Sequence, residues 1–181
     1  MKEKKSLSTL IIIVLLSVIV IGLSSYIVID KINENKKYDD EITQMTIYLE
    51  GMEEKINVKK FKSILGFSIR YDIDRFEIFE EKSKVLINTI YSDDIIRVTV
   101  EKIKSSYEEI TTKINSFEEI FINKYKTARV ITSKKGILTI QYYVNTKKGV
   151  FLISSYIPDS PEYIEGYGSR IAQMVETFEI K

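Results

Sequence analysis

The 181-residue chain contains no histidine, no cysteine and no tryptophan. Without histidine there is no Ser-His-Asp or Cys-His arrangement, no histidine-ligated zinc and no ordinary general base near neutral pH. Without cysteine there is no disulfide, no thiol nucleophile, no iron–sulfur centre and no sulfur to acylate as a lipoprotein anchor. The fold must stand on packing alone. Seven glycines are scattered, mostly at expected turns, so no glycine-rich phosphate loop is present. Alanine occurs only at Ala128 and Ala172, isoleucine is abundant and lysine far outnumbers arginine. That bias suggests an AT-rich coding sequence and, with cysteine-free export, a Gram-positive bacterium.

Charge is missing from one long stretch. Ser6 to Ile29 is 24 residues without a charged side chain, introduced by Lys2, Lys4 and Lys5 and closed by Asp30 and Lys31. At about 1.5 Å per residue a helix of that length reaches roughly 36 Å, against a hydrocarbon core of about 30 Å. Its Leu, Ile and Val offset the isolated Ser and Gly, and Tyr26 falls where a ring rests at headgroup level. The reading is a short cytoplasmic tail over 1–5 and a transmembrane signal-anchor helix over 6–29. A cleaved signal peptide, with Gly22 and Ser24 before the cut, competes with it, although apolar character resumes at Ile27–Ile29. A type IV pilin start is the third reading, but Lys5-Ser6-Leu7-Ser8-Thr9-Leu10-Ile11 lacks the expected Gly and Glu. Lysines flank both ends, so the positive-inside rule decides little. The short tail and the long domain behind it set the N-terminus inside and the domain outside the cell.

Beyond residue 29, 24 Lys and Arg face 25 Asp and Glu, a net charge of −1. Such a domain has no general attraction for nucleic acid or anionic lipid. Residues 30–44 are polar and read as a juxtamembrane stalk. Residues 45–181 are enough for one domain with a proper core. Thr46–Leu49 and Val58–Phe61 are weak strand candidates. Phe67, Ile69 and Tyr71 alternate with Ser68 and Arg70, and Ile96, Val98 and Val100 with Arg97, Thr99 and Glu101. Lys84–Tyr91 is β-branched and apolar. Ser106-x-x-Glu109 and Ser116-x-x-Glu119 are capping boxes that predict two helices, the second placing Phe117, Ile120, Phe121 and Tyr125 on one face. Two hairpins follow, turning at Lys134-Lys135-Gly136 and at Asn145–Gly149. Val150–Ile153 lacks alternation and predicts a central strand covered on both faces. Ser160-Pro161 opens an amphipathic helix carrying Ile164, Tyr167, Ile171, Met174, Val175 and Phe178, and Thr177–Ile180 a short last strand. The fold class is α+β, a mainly antiparallel sheet sandwiched by helices behind one N-terminal transmembrane helix.

Gly66-Phe67-Ser68-Ile69-Arg70-Tyr71 is similar to the opening Gly-Phe-Ser-Ile-x-Tyr strand of the PsbP family. Ser116–Tyr125 resembles that family's helix before its second run of strands, and Val150–Lys181 its closing strand, helix and terminal strand. The chain departs from the pattern at Asp72, where the family has Pro, and at Phe76, near its Trp position. The resemblance implies an α/β/α sandwich and a protein-binding or accessory module, and it brings no functional residue with it.

Paired carboxylates are the remaining chemistry. Asp72-x-Asp74, Asp93-Asp94 and Glu80-Glu81 offer oxygen ligands for Ca²⁺, but without the Gly and distal Glu of a 12-residue calcium loop. Solvated turn residues are the plainer reading. Two acids across a cleft would serve glycoside cleavage. Twelve Tyr residues, mostly explained by packing, include three candidates for partner contact: Tyr143, expected to point outward with Thr139 and Gln141, and Tyr156 and Tyr163, which cluster with Tyr167 near the last helix. The expected function is a non-catalytic, membrane-anchored extracytoplasmic module binding an envelope protein partner, with no cofactor and no nucleic acid. A small-ligand or Ca²⁺ sensor, and a carboxylate-dependent envelope hydrolase, are the alternatives.

Overall fold

The computed structural model describes residues 38–49, 51–91 and 96–181. The anchor at 6–29, the stalk up to residue 37 and Asp93-Asp94 lie outside the described residues. No helix among the described residues is long and apolar enough to cross a membrane.

Among the described residues eleven strands form two sheets. They are β1 (Tyr38–Leu49), β2 (Met52–Lys62), β3 (Phe67–Asp72), β4 (Phe76–Glu80), β5 (Lys84–Thr89), β6 (Arg97–Ile103), β7 (Glu118–Ile122), β8 (Tyr125–Lys134), β9 (Ile137–Thr146), β10 (Gly149–Pro158) and β11 (Glu179–Ile180). Helix α1 (Tyr107–Lys113) joins β6 to β7. A last helical segment runs through α2 (Pro161–Tyr163), a π turn over Ile164–Gly168 and α3 (Ser169–Glu176). The four-stranded sheet has the order β1-β2-β3-β11, and the seven-stranded sheet β4-β5-β6-β10-β9-β8-β7. The registered pairings are antiparallel, so the α+β class with antiparallel sheets holds.

Local chemistry sets the connections. Lys135 (φ 54°) and Gly136 (φ 74°) form the two-residue turn with both φ positive that matches strand twist, with Lys134 paired to Ile137. β10 lies mid-sheet between β6 and β9, as its unbroken apolar run predicts, with Phe151 and Ile153 buried. The two sheets meet at an aromatic cluster. Phe67 of β3 packs edge-on against Phe151 of β10 (5.9 Å) and stacks on Phe178 (5.3 Å), while Phe61 of β2 closes one side. The four-stranded sheet thus covers part of a face that helices alone were expected to cover. β3 alternates as read, Phe67, Ile69 and Tyr71 all being buried, but Ser68 and Asp72 are buried too.

Of the two capping boxes, the Ser106 one forms. Glu109 N donates to Ser106 Oγ (3.2 Å), and Ser106 N donates to Glu109 Oε2 (3.1 Å). The helix expected from Ser116 does not. Glu118–Ile122 is strand β7, paired to β8 from Glu118–Arg129 to Ile122–Tyr125. Phe117, Ile120, Phe121 and Ile122 are aromatic or β-branched, and Asn123 (φ 52°) turns the chain before a second helical turn can close. Phe121 consequently faces solvent while Tyr125 is buried. Ser106→Ala is expected to lower stability by about 1 kcal/mol in urea unfolding. Ser116→Ala should stay within about 0.5 kcal/mol of wild type, because no cap is lost there. β1 also begins at Tyr38, within the polar stretch read as stalk, and Thr46–Leu49 is only its end.

Candidate functional site

Four separate segments converge on one cavity of about 380 Å³. β1 contributes Leu49 at its end, the β3–β4 turn contributes Arg75, the residues after β5 contribute Tyr91, and the last helical segment contributes Glu162, Tyr163, Tyr167 and Arg170. That volume falls within the range of small-ligand and side-chain pockets.

The π turn shapes the wall. Ile164–Gly168 takes the wider π pitch, and such turns are frequent at functional sites. Tyr163 and Tyr167, four positions apart, lie nearly parallel at 6.4 Å and 18°. Phe76 of β4 props Tyr167 edge-on at 6.3 Å. Tyr91, in the same lining, is 70% exposed, with the Arg75 guanidinium 6.0 Å from its ring centre. The cavity therefore offers three aromatic faces and an exposed cation.

Arg170 in its lining is the centre of a partly buried ion network. Arg170, 9% exposed, donates from Nη1 to Asp72 Oδ2 (3.0 Å) and from Nη2 to Glu54 Oε1 (2.8 Å) and Oε2 (2.6 Å). Asp72 also accepts from Asp74 N at 3.0 Å. Burial raises the Asp72 carboxyl above its ordinary pKa, against the opposing pull of the Asp74 amide and of Arg170. This corrects the reading of Asp72 as a solvated turn acid, while Asp74 is the exposed turn residue expected. Asp72 is committed to a guanidinium, and Asp74 accepts from Asn57 Nδ2 at 3.1 Å. Glu80 accepts from Ser63 Oγ and Ile64 N, and Glu81 pairs with Lys84 at 3.6 Å. Among the described residues no group of three or more acids converges as a metal site would require.

The tyrosines singled out in the sequence do not share one surface. Tyr163 is in the cavity wall. Tyr156 lies on β10 beneath the Arg97 guanidinium, 4.9 Å from its ring centre. Tyr143 is not the outward ring expected. It is half-buried against Tyr107, Ile110, Ala128 and Val150, because α1 folds over that end of the sheet. Its raised hydroxyl pKa comes first from this burial. Sequence reading grouped Tyr163 with Tyr167 but missed Arg75, Tyr91 and Arg170 as their partners in one site. The one available signal was Gly166 and Gly168 flanking Tyr167 inside an otherwise regular apolar pattern.

No family model matches the chain, and no curated protein is similar to it. Among solved structures it is similar to a protein of Bacteroides thetaiotaomicron VPI-5482, determined at 1.50 Å, with 17% identity and a TM-score of 0.51. The likeness covers 67% of this chain and 48% of that one, so the chain matches about half of its neighbour's length. At that identity the likeness is one of fold alone.

Proposed function

We propose that the chain is a membrane-anchored, extracytoplasmic binding module of a bacterial envelope, without catalysis of its own, which holds a protein partner through the aromatic–arginine cavity. The observation that carries this reading is the convergence of Tyr91, Tyr163 and Tyr167 with Arg75 around one open cavity. Tyrosine and arginine are the side chains that most often anchor interfaces, since each combines contact area with a polar tip. The charge-free stretch at 6–29 supports the anchor, and tethering raises the effective concentration of a domain beside its envelope partners. The accessory role is the one the PsbP-like resemblance of Gly66–Tyr71 and Val150–Lys181 implies, whereas the helix it implied over Ser116–Tyr125 is strand β7 here.

The test is capture from detergent extracts of envelopes with the full chain as bait. A defined partner should be recovered by wild type and fall at least about tenfold with Tyr163→Ala plus Arg75→Ala. Recovery of the bait alone, or equal recovery by both baits, rejects the reading. The size of the cavity favours one second reading, capture of a small ligand. A thermal-shift screen separates the two, since a small ligand stabilises the isolated chain by mass action and a protein partner is absent from the screen.

A further inference from the structure

Among the described residues the sheets end at β1, β11, β4 and β7. β11 has two residues, and β4 and β7 have five each. Both five-residue edges carry glutamates, Glu77 and Glu80 on β4 and Glu118 and Glu119 on β7. Short, charged edges are how proteins avoid pairing with other chains. β1 is built differently. It is twelve residues long, its charges are confined to its first four residues, and the charge-free Ile42–Leu49 leaves Ile42 53% exposed.

One side chain identifies the backbone groups on that edge. Tyr48 N donates to Gln173 Oε1 (2.9 Å), and Gln173 Nε2 donates to Tyr48 O (3.0 Å). The amide of Gln173 completes the ladder at Tyr48 as a neighbouring strand would. Strand amides alternate sides, so the N–H and C=O groups of Ile42, Gln44 and Thr46 point the same way as those of Tyr48. No strand flanks them among the described residues. The open stretch is bounded by the Gln173 clamp at one end and by the exposed Glu41 at the other.

We infer that β1 is a dimer seam, pairing antiparallel with β1 of a second copy of this chain, Gln44 opposite Gln44 and Ile42 opposite Thr46. Charge sets the direction. Parallel pairing in register would set the exposed Glu41 beside its own copy, whereas antiparallel pairing sends the two glutamates to opposite ends, beside the uncharged Thr46–Leu49 of the other copy. Self-complementarity selects the occupant. The two-fold axis falls on a residue whose donor and acceptor both face outward, and one device, the Gln173 clamp, stops the seam at both ends. A strand seam this short buries less than the roughly 1,200 Å² of stable interfaces, so the dimer is weak and reversible.

The natural chain has no cysteine, so introduced thiols report register without background. In the full chain, held in detergent micelles, Gln44→Cys should give a reducible dimer under mild oxidation. Ile42→Cys mixed with Thr46→Cys, differently tagged, should cross-link to each other in preference to themselves. Gln44→Pro removes an outward donor and leaves the β2 side of the strand its amides, so it should weaken association at least about tenfold in sedimentation velocity. A circular-dichroism spectrum checks that this variant is folded, and if it is not, the thiol pattern decides alone. Gln44→Cys cross-linking no faster than Thr132→Cys on β8 would overturn the inference. So would association undiminished by a folded Gln44→Pro, or a chain that pairs only with a different protein.

Discussion

Arg170→Met is expected to cost about 3–5 kcal/mol of stability at neutral pH, a large part of what a domain of this size has. The methionine fills the space but leaves Asp72, 4% exposed, as a buried carboxylate without its cation. Protonation offers that carboxylate a way out, and the sign follows from linkage. Burial already holds the folded pKa of Asp72 above its unfolded value, and Arg170 is among the groups pulling it down. Removing Arg170 raises it further. The folded variant then binds a proton that the unfolded chain does not, so its stability climbs as pH falls from neutrality towards about 4. The gap between wild type and variant should therefore narrow on acidification. Urea unfolding followed by tyrosine fluorescence at pH 7 and pH 5 measures it, since the chain has twelve Tyr and no Trp. A deficit of the same size at both values would mean that lost packing, not the stranded charge, is responsible. Asp72→Asn should be the milder change, because Arg170 keeps Glu54. Adding it to Arg170→Met should restore part of the loss rather than deepen it.

What could be read in advance was what short-range chemistry decides. The alternation of Phe67, Ile69 and Tyr71, the Lys135-Gly136 turn and the Ser106 capping box each involve neighbours in sequence, and each appears where expected. Ser116-x-x-Glu119 has the same local signature as Ser106-x-x-Glu109 and a different outcome. Its backbone finds partners on β8, and pairing outweighs a cap that would end after one or two turns. Tyr143 shows the same limit from the other side. Strand parity correctly sets it opposite Tyr142, but parity does not reveal that α1 folds over that face. The cavity was beyond reach for a related reason. Leu49, Arg75, Tyr91 and Tyr163 become neighbours only through the path of the sheets, and no spacing rule joins them.

Phe178→Ala should be comparably severe, at about 3–5 kcal/mol, and for a reason that lies in the whole chain end. Phe178 is fully buried, 5.3 Å from Phe67, 5.5 Å from Phe151 and 6.3 Å from Tyr125, measured between ring centres. Its ring therefore touches both sheets at once, and truncation leaves a cavity that neither sheet can close by itself. The backbone around it is held as firmly. Asn123 Nδ2 donates to Phe178 O (2.6 Å), Ile180 N donates to the Tyr125 hydroxyl (3.1 Å), and Lys181 N donates to Gly66 O (3.0 Å). The first two tie the segment to the β7–β8 end of the seven-stranded sheet, and the third holds it beside β3, where Ile180 pairs with Phe67. Phe178→Leu, which keeps most of the volume, should lose less than half as much. Ending the chain after Thr177 should go beyond Phe178→Ala, because it removes the ring and every one of those bonds together. Urea midpoints for the three variants order these effects directly. If Phe178→Ala cost no more than about 1 kcal/mol, the ring would be filling space beside the core rather than joining its two halves.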